Sequence, residues 1–224
     1  MLAGRAVAAA CTLALIAGCG DSTSGPSTLR RPPSSYLLTV DQLVAPNFTI
    51  DAAAHPLSAA DIAAGDQARA TQLATSGLIA GAGEDFFRPA ANIALANGPV
   101  QIGDTVEQFA TAAGAITVFA GDVTRLDAVP GARAVSTGGI GDAAHATTRL
   151  VTVPGSGVHL IEISVEWRVD NLIDLLVVRG RDGGTRADDA LFLAHRQTAT
   201  ELGLATPTPL PPSSPSPSSS PGRP

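Results

Sequence analysis

The chain has 224 residues, enough for one domain of ordinary size, and 45% of them are hydrophobic while 15% are charged. This composition favours a packed core and argues against a wholly disordered chain. The net charge of −6 argues against a nucleic-acid partner, because no basic stripe is present to neutralise phosphates.

The first element in chain order is an apolar run, 6–18, which follows Arg5 and ends at Cys19. One positive charge, a short apolar run and small residues are typical of a secretion signal, and the run is too short for a permanent spanning helix. Ile16-Ala17-Gly18-Cys19 resembles the lipobox of bacterial lipoproteins. The resemblance implies that residues 1–18 are removed and that Cys19 becomes the diacylated first residue. A plain secreted protein with a chance cysteine is the alternative.

The sequence contains two cysteines, Cys11 and Cys19. Cys11 lies in the predicted signal and Cys19 is the predicted lipid site, so no thiol remains for a disulfide, a zinc site or a nucleophile. Two acyl chains are enough for lasting attachment to a membrane. We therefore expect a protein on the extracytoplasmic face of the cell membrane.

Composition divides the rest of the chain into three parts. Residues 19–35 are polar and rich in Ser and Pro, which predicts a flexible tether. Residues 36–204 are predicted to form one globular domain. Residues 205–224 are mostly Pro, Ser and Thr and have no apolar face, which predicts a disordered tail.

The first half of the domain is predicted to be mainly helical. Ser58 and Asp61 form a capping box that opens a helix running to about Leu78. The other predicted elements are a helical turn at 37–44, a strand at 47–51, a glycine-rich break at 77–83, a strand at 90–96 and an extended piece at 100–102.

A second helix is predicted to begin at Asp104, because Asp104-Thr-Val-Glu107 matches a reciprocal cap. Apolar residues then recur at spacings of three and four, which is typical of one buried helix face. That face comprises Val106, Phe109, Ala113, Ile116, Ala120 and Val123.

The C-terminal half changes to a period of two. A strand is predicted at 147–153, and strict alternation from Ile161 predicts a half-buried antiparallel strand. A two-residue turn at Asp170-Asn171 would place Glu162 opposite Arg179 and Trp167 opposite Asp174. A final helix is predicted from Thr185 to Gly203. The predicted fold class is α+β, with an antiparallel sheet in the C-terminal half packed against helices.

Several residue groups are candidates for chemistry, and each has a simpler explanation. The run 139–144 matches G-x-G-x-x-A, but a strand is predicted after it where the dinucleotide motif needs a helix. The histidines lack the spacing of a helical metal pair, although His145 and His159 can meet across a hairpin in a weak metal site. Ser156 lies in a plain Gly-Ser-Gly turn without the hydrolase elbow. The four histidines are His55, His145, His159 and His195.

Glu162 and Glu166 lie on the same face of one predicted strand. Carboxylates placed in this way can serve as acid and base or bind calcium, but the solvated face of a sheet also explains them. Trp167, the only tryptophan, is predicted to lie in the core in preference to a ligand cavity. We expect no catalytic residue set, no metal and no cofactor.

Four short segments of the last third resemble extracytoplasmic sensor-like and lipoprotein domains of actinobacteria, including the outer domain of some membrane kinases. Asp170 stands where glycine is common in those domains, and their disulfides are absent here. The resemblance implies an antiparallel sheet flanked by helices and a binding role, and it transfers no functional residue. The matching segments are Ile140-Gly141-Asp142-Ala143, 167–171, 178–181, and 190–194 with Gln197.

The sequence as a whole predicts a lipid-anchored extracytoplasmic protein that binds a cell-envelope ligand or a protein partner and is not an enzyme. The membrane is a predicted partner through the lipid on Cys19. The first alternative is a carrier of apolar molecules with a hydrophobic cavity. The second alternative is a cell-envelope hydrolase, which requires polar groups of opposite roles in one cleft.

Overall fold

An antiparallel β-sheet forms the centre of the structure, a computed structural model that describes residues 28–89, 97–153, 155 and 157–204. Its strands are β1 Thr49–Leu57, β2 Leu78–Phe87, β3 Pro99–Phe109, β4 Arg133–Val135, β5 Ala143–Thr152, β6 His159–Val169 and β7 Leu172–Arg181. Across these described residues the spatial order is β1-β2-β3-β7-β6-β5-β4, and all neighbouring strands are antiparallel.

Helices cover both faces of the sheet. They are α1 Ala59–Ala63, α2 Gln67–Thr75, α3 Ala112–Asp127 and α4 Ala187–Glu201. Leu193 and Ala194 of α4 share a core with Ile163, Val165 and Trp167 of β6. The helices α1, α2 and α3 share a different core with Phe109 of β3 and Ile173 of β7. The α+β class and the antiparallel C-terminal sheet are therefore confirmed.

The sheet also extends into the N-terminal half, where the sequence predicted a glycine-rich break at 77–83. That segment belongs largely to β2. A Cβ at Gly81 would lie 2.8 Å from Ile62 Cδ1, so the glycine is there because α1 and β1 pack closely against the strand. The glycine-rich composition therefore reflects close packing within a strand, and the predicted break was wrong.

The helix predicted to run from Ser58 to Leu78 is divided into α1 and α2. The Ser58–Asp61 capping box is present, and Ser58 Oγ accepts from Asp61 N. The break occurs at Ala64 and Gly65, whose φ angles of 48° and 91° are left-handed and end a helix. The predicted strand at 90–96 lies outside the described residues.

The helix predicted from Asp104 was wrong at its start and on its buried face. Asp104 and Val106 are buried at alternate positions of β3, and α3 begins only after Thr111, whose side chain accepts from Gly114 N. Three residues of the predicted face, Ala113, Ile116 and Ala120, are exposed. The residues that α3 buries are Gly114, Ala115, Val118 and Asp122. The D-x-x-E pattern occurred by coincidence in a strand.

The predicted register of β6 and β7 is confirmed. Asp170 and Asn171 form the two-residue turn, Glu162 pairs with Arg179, and Trp167 pairs with Asp174. Asp170 has a φ of 52°, the left-handed conformation such a turn requires. The prediction that β6 is half-buried was wrong, because helices pack on both of its faces and eight of its eleven residues are buried.

Part of the predicted tether is packed against the sheet. Leu29 N donates to Asn171 Oδ1 at 2.7 Å, and Gln108 Nε2 donates to the carbonyls of Leu29 and Arg31. Pro33 is buried in a 3-10 turn at Pro33–Ser35. The packed part of the chain therefore reaches Leu29, seven residues before Tyr36.

Two glycines of α3 offer a matched test of this packing. A Cβ at Gly114 would lie 2.1 Å from the backbone oxygen of Ser76, whereas at Gly121 it would meet only the movable end of the Gln72 side chain. We predict that Gly114→Ala lowers the free energy of unfolding by about 2 kcal/mol. Gly121→Ala should be neutral or stabilising by up to about 1 kcal/mol. Urea unfolding measures both, and equal effects would contradict the α2–α3 packing.

Candidate functional site

Among the residues that the structure describes, seven carboxyl groups are buried between the sheet and the elements packed on its two faces. Burying a charged carboxylate is costly unless it is paired or protonated. Their partners therefore determine what these groups can do. The seven residues are Asp104, Glu107, Asp122, Glu162, Glu166, Asp174 and Glu201.

The α4-side cluster consists of Asp104, Asp174, Gln197, Glu201 and Trp167. The Gln197 amide donates to both aspartates, at 3.1 Å to Asp104 Oδ1 and 3.2 Å to Asp174 Oδ1. The backbone N–H of Leu38 donates to Asp104 Oδ2 at 2.7 Å. The Gln197 amide of α4 therefore joins the neighbouring strands β3 and β7. The carboxyl group of Asp104 also holds the N-terminal segment at Leu38.

The carboxyls of the α4-side cluster retain protons. Burial raises the pKa of Asp104 to about 7 and that of Glu201 to about 8. The pKa of Asp174 is raised well above its ordinary range by burial and by the charges of Glu201 and Asp104. Asp104, Asp174 and Glu201 are buried close together, so their negative charges would repel one another if all three ionised. They therefore share protons near neutral pH.

The α3-side cluster consists of Arg69, Glu107, Asp122, Arg125 and Glu166. Arg69 contacts Glu107 Oε1 at 2.9 Å and Asp122 Oδ1 at 3.1 Å, and Arg125 Nε donates to Asp122 at 2.8 Å. Two guanidinium groups face three carboxyls. Burial raises the pKa of Glu107 to about 7, and burial with the charges of Asp122 and Glu107 raises that of Glu166 well above its ordinary value.

The arginine–glutamate stripe crosses four strands and consists of Arg149, Glu162, Arg179 and Gln101. Arg149 Nε and Arg179 Nε donate to the two oxygens of Glu162 at 2.5 and 2.6 Å, and Arg179 Nη1 donates to Gln101 at 3.2 Å. Burial alone would raise the pKa of Glu162, but the two arginines outweigh it and hold the pKa below its ordinary value. The arginine side chains are 34% and 37% exposed, so this stripe reaches solvent.

Glu162 and Glu166, predicted to share a face, do so but in different surroundings. They are four positions apart along β6, which places the Cα atoms of Glu162 and Glu166 about 13 Å apart. Glu162 is neutralised by two arginines, and Glu166 lies under α3 beside Asp122. This arrangement supports neither the acid–base role nor the calcium role considered from the sequence, and the two glutamates do not lie on a solvated face, because both are buried.

The histidines do not converge on one site. His145 pairs with Glu166 and His159 with Thr152, so the two rings lie at different positions along the hairpin and do not form the weak metal site considered from the sequence. His145 Nε2 lies 2.9 Å from Asp127 Oδ1. In the described ranges no three His, Cys, Asp or Glu residues are placed to hold a metal ion.

The glycine-rich run 139–144 leads into β5 and not into a helix, as expected from its β-branched continuation. Gly141 has a φ of 55°, and a Cβ there would lie 2.5 Å from the carbonyl oxygen of Arg168, so this glycine serves a tight turn against β6. Trp167 is fully buried, which confirms its predicted place in the core. Cys19 and Ser156 lie outside the described residues.

Two surface depressions have volumes of about 270 Å³ each. One lies between Pro32–Ser34 and strands β1 and β2, and the other lies at the entry of the chain beside Ile79 and Gln108. None of the buried acids lines either depression. Both are open to the surface and neither lies within the sheet, so they give no support to the alternative of an apolar carrier.

The comparisons with known proteins give a structural likeness and no sequence match. No protein-family model matches the chain, and no curated protein sequence matches it. Among solved structures, the chain is similar to the extracellular domain of PknH from Mycobacterium tuberculosis, with 12% identity and a TM-score of 0.47. The match covers 76% of this chain and 94% of that domain. No residue role is carried over from it.

The protonated acids predict how stability depends on pH. Unfolded carboxyls titrate near 4, whereas these acids keep protons to pH 7 or above, so the folded chain binds more protons between about pH 5 and 8. Stability should therefore fall as the pH rises through this range, with a decrease in Tm of roughly 5 °C or more.

Thermal unfolding of two variants tests the source of this dependence. Glu201→Gln should flatten the decrease in Tm and raise stability at pH 8, whereas Asp51→Asn, at an exposed position, should leave the pH profile unchanged. A Tm that stays constant or rises from pH 5 to 8 would contradict the assignment of buried neutral acids.

The lowered pKa of Glu162 in the arginine–glutamate stripe predicts the opposite dependence of stability on pH. Glu162→Gln leaves two arginines without their counter-charge and should cost about 1 kcal/mol at pH 7, a value reduced by solvent screening of the arginines. The difference in the free energy of unfolding between this variant and the unmodified protein should narrow as the pH falls through the lowered pKa of Glu162, where the carboxylate takes up a proton. Asp188→Asn, in an exposed pair with Arg186, is the control and should show no measurable change. Equal effects in urea unfolding would exclude a structural role for the stripe.

Proposed function

We propose that this protein is a lipid-anchored extracytoplasmic domain with a binding or sensor-like role, held at the cell membrane through acylated Cys19. The observation that carries the proposal is Ile16-Ala17-Gly18-Cys19 at the end of a short apolar run. The first residue seen in contact with the sheet, Leu29, follows Cys19 by ten positions. This order of signal, cysteine, short polar linker and folded domain supports an anchored domain.

The cysteine content of the sequence also supports the proposal. Cys11 and Cys19 are the only cysteines of the sequence, so a chain that begins at Cys19 has one thiol, available for acylation. None of the helices in the part of the chain that the structure describes is long and apolar enough to cross a membrane.

Binding is favoured over catalysis by the surroundings of the acids. General acid–base chemistry needs a carboxyl that can reach substrate in a cleft. Here Asp174 and Glu166 lie beneath α4 and α3, and Glu162 is occupied by two arginines. These contacts support a structural role for the acids, with a cell-envelope ligand or a protein partner recognised elsewhere on the surface.

The anchor is tested by fatty-acid labelling of two cysteine variants in a bacterial host that processes lipoproteins. We expect the unmodified protein and Cys11→Ala to incorporate the labelled acyl chain, since Cys11 lies in the removed signal. Cys19→Ala should incorporate none and should keep residues 1–18. Label that persists in Cys19→Ala, or that is absent from the unmodified protein, would overturn the proposed anchor.

A further inference from the structure

We propose that one end of the sheet rests on the lipid surface, an inference that depends on the proposed anchor at Cys19. The entry end comprises residues 28–31, Ile79, Asn171, Leu202 and Leu204. It is the place where the chain from Cys19 reaches the sheet. The proposed occupant is the lipid bilayer, which apolar side chains enter while arginines contact anionic headgroups.

Buried amides fix the chain at the entry end. Asn171 exchanges two hydrogen bonds with Leu29, and its Nδ2 also donates to the carbonyl of Phe109 at 2.8 Å. Gln108 Nε2 donates to the carbonyls of Leu29 and Arg31 at 2.8 and 3.1 Å. Because the amides of Asn171 and Gln108 belong to the sheet itself, the tether leaves the domain at a defined position.

The tether is short enough to keep this end close to the bilayer. Nine residue steps separate Cys19 from Thr28, and a fully extended chain of that length spans at most about 32 Å. A flexible coil of the same length spans roughly 17 Å on average. Of the described surface, the entry end is therefore the part whose distance from the anchor is most restricted.

Large apolar side chains are exposed around the entry point. Ile79 is 62% exposed and lines the same depression as residues 28–30. Leu202 and Leu204 are 50% and 61% exposed and lie just after the end of α4. The end of α4 is joined to the entry segment by a hydrogen bond of 2.9 Å, which Arg31 donates to the Thr200 carbonyl. Scattered exposed apolar residues are ordinary, but three beside a lipid tether fit the interface of a bilayer.

The charges at the entry end fit an anionic lipid surface. Arg30 and Arg31 are exposed, and the Arg31 guanidinium lies 4.5 Å from the centre of the Tyr36 ring, which holds it in place. Three acids also lie at this end, and one of them, Glu201, is buried at the end of α4 near Arg31. Asp142 forms an ion pair with Arg168 at 3.0 Å and accepts from the backbone N–H of Asp170, whose carboxyl lies beside the same arginine. The Arg31 guanidinium already donates to the Thr200 carbonyl, so Arg30 is the entry arginine most available for phosphate groups.

Cysteine labelling of the lipidated protein tests this orientation. Since Cys19 is acylated, a cysteine introduced by Ile79→Cys or Leu204→Cys is the only free thiol for a fluorophore. Leu150→Cys is the matched control, because Leu150 is also 62% exposed and lies at the opposite end of the sheet. Leu150 pairs with Ile161 of β6. Ile161 lies eight residues, or about 26 Å, from Val169, the residue of β6 that is nearest to the entry end.

The labelled proteins are reconstituted in vesicles of phosphatidylcholine and phosphatidylglycerol that carry headgroup nitroxides. We expect several-fold stronger quenching at positions 79 and 204 than at position 150. Equal quenching at all three positions, in protein that floats with the vesicles, would overturn the orientation and leave the anchor intact. Failure of all three proteins to float would overturn the anchor and the orientation together.

Two controls separate the bilayer from other occupants. A blue shift at positions 79 and 204 that grows with the protein-to-lipid ratio in vesicles would indicate self-association of this end, which would also overturn the inference. Arg30→Gln, examined with the label at position 79, should reduce quenching on anionic vesicles and not on pure phosphatidylcholine. Circular dichroism of the Trp167 environment verifies that each variant is folded.

Discussion

The two-residue turn at Asp170-Asn171 fixes most of the relationships described above. Because this turn sets the register of β6 and β7, it places Trp167 beside Asp174 and Glu162 beside Arg179. The same turn presents the Asn171 side chain, which holds the incoming chain at Leu29. A slip of one residue would move every side chain of β6 to the opposite face. The core, the arginine–glutamate stripe and the position of the tether therefore depend on one local conformation.

This constraint explains why acids are tolerated within the sheet. Asp174 is opposite Trp167 and fully buried beneath α4, and it is stabilised by the Gln197 amide and by retaining a proton. Asp104 accepts from the same amide and from Leu38 N–H, which connects the cluster to the N-terminal segment. Protonation of these acids is thus coupled to the packing of the segment that leads to the proposed anchor.

The sequence was most informative where alternation and turn chemistry agreed. From Ile161 to Val169 the apolar residues alternate, and Asp170-Asn171 is typical of a tight turn. Both the register and the predicted pairing of Glu162 with Arg179 are found in the structure. It was least informative at 104–109, where an acid at each end of D-x-x-E matches a helix cap although both acids are buried in β3. The strand conformation of this segment depends on tertiary contacts with Leu38, Gln197 and Arg69. These residues are distant in the sequence, so the local residue pattern could not predict the contacts.

The central claim is that the domain is held to the outside of the cell by lipid on Cys19. Its most direct test is the intact mass of the protein extracted from its native membranes. We predict a chain that begins at Cys19 and carries acyl groups on that residue. A chain that begins at Met1 with an unmodified Cys19 thiol would contradict it.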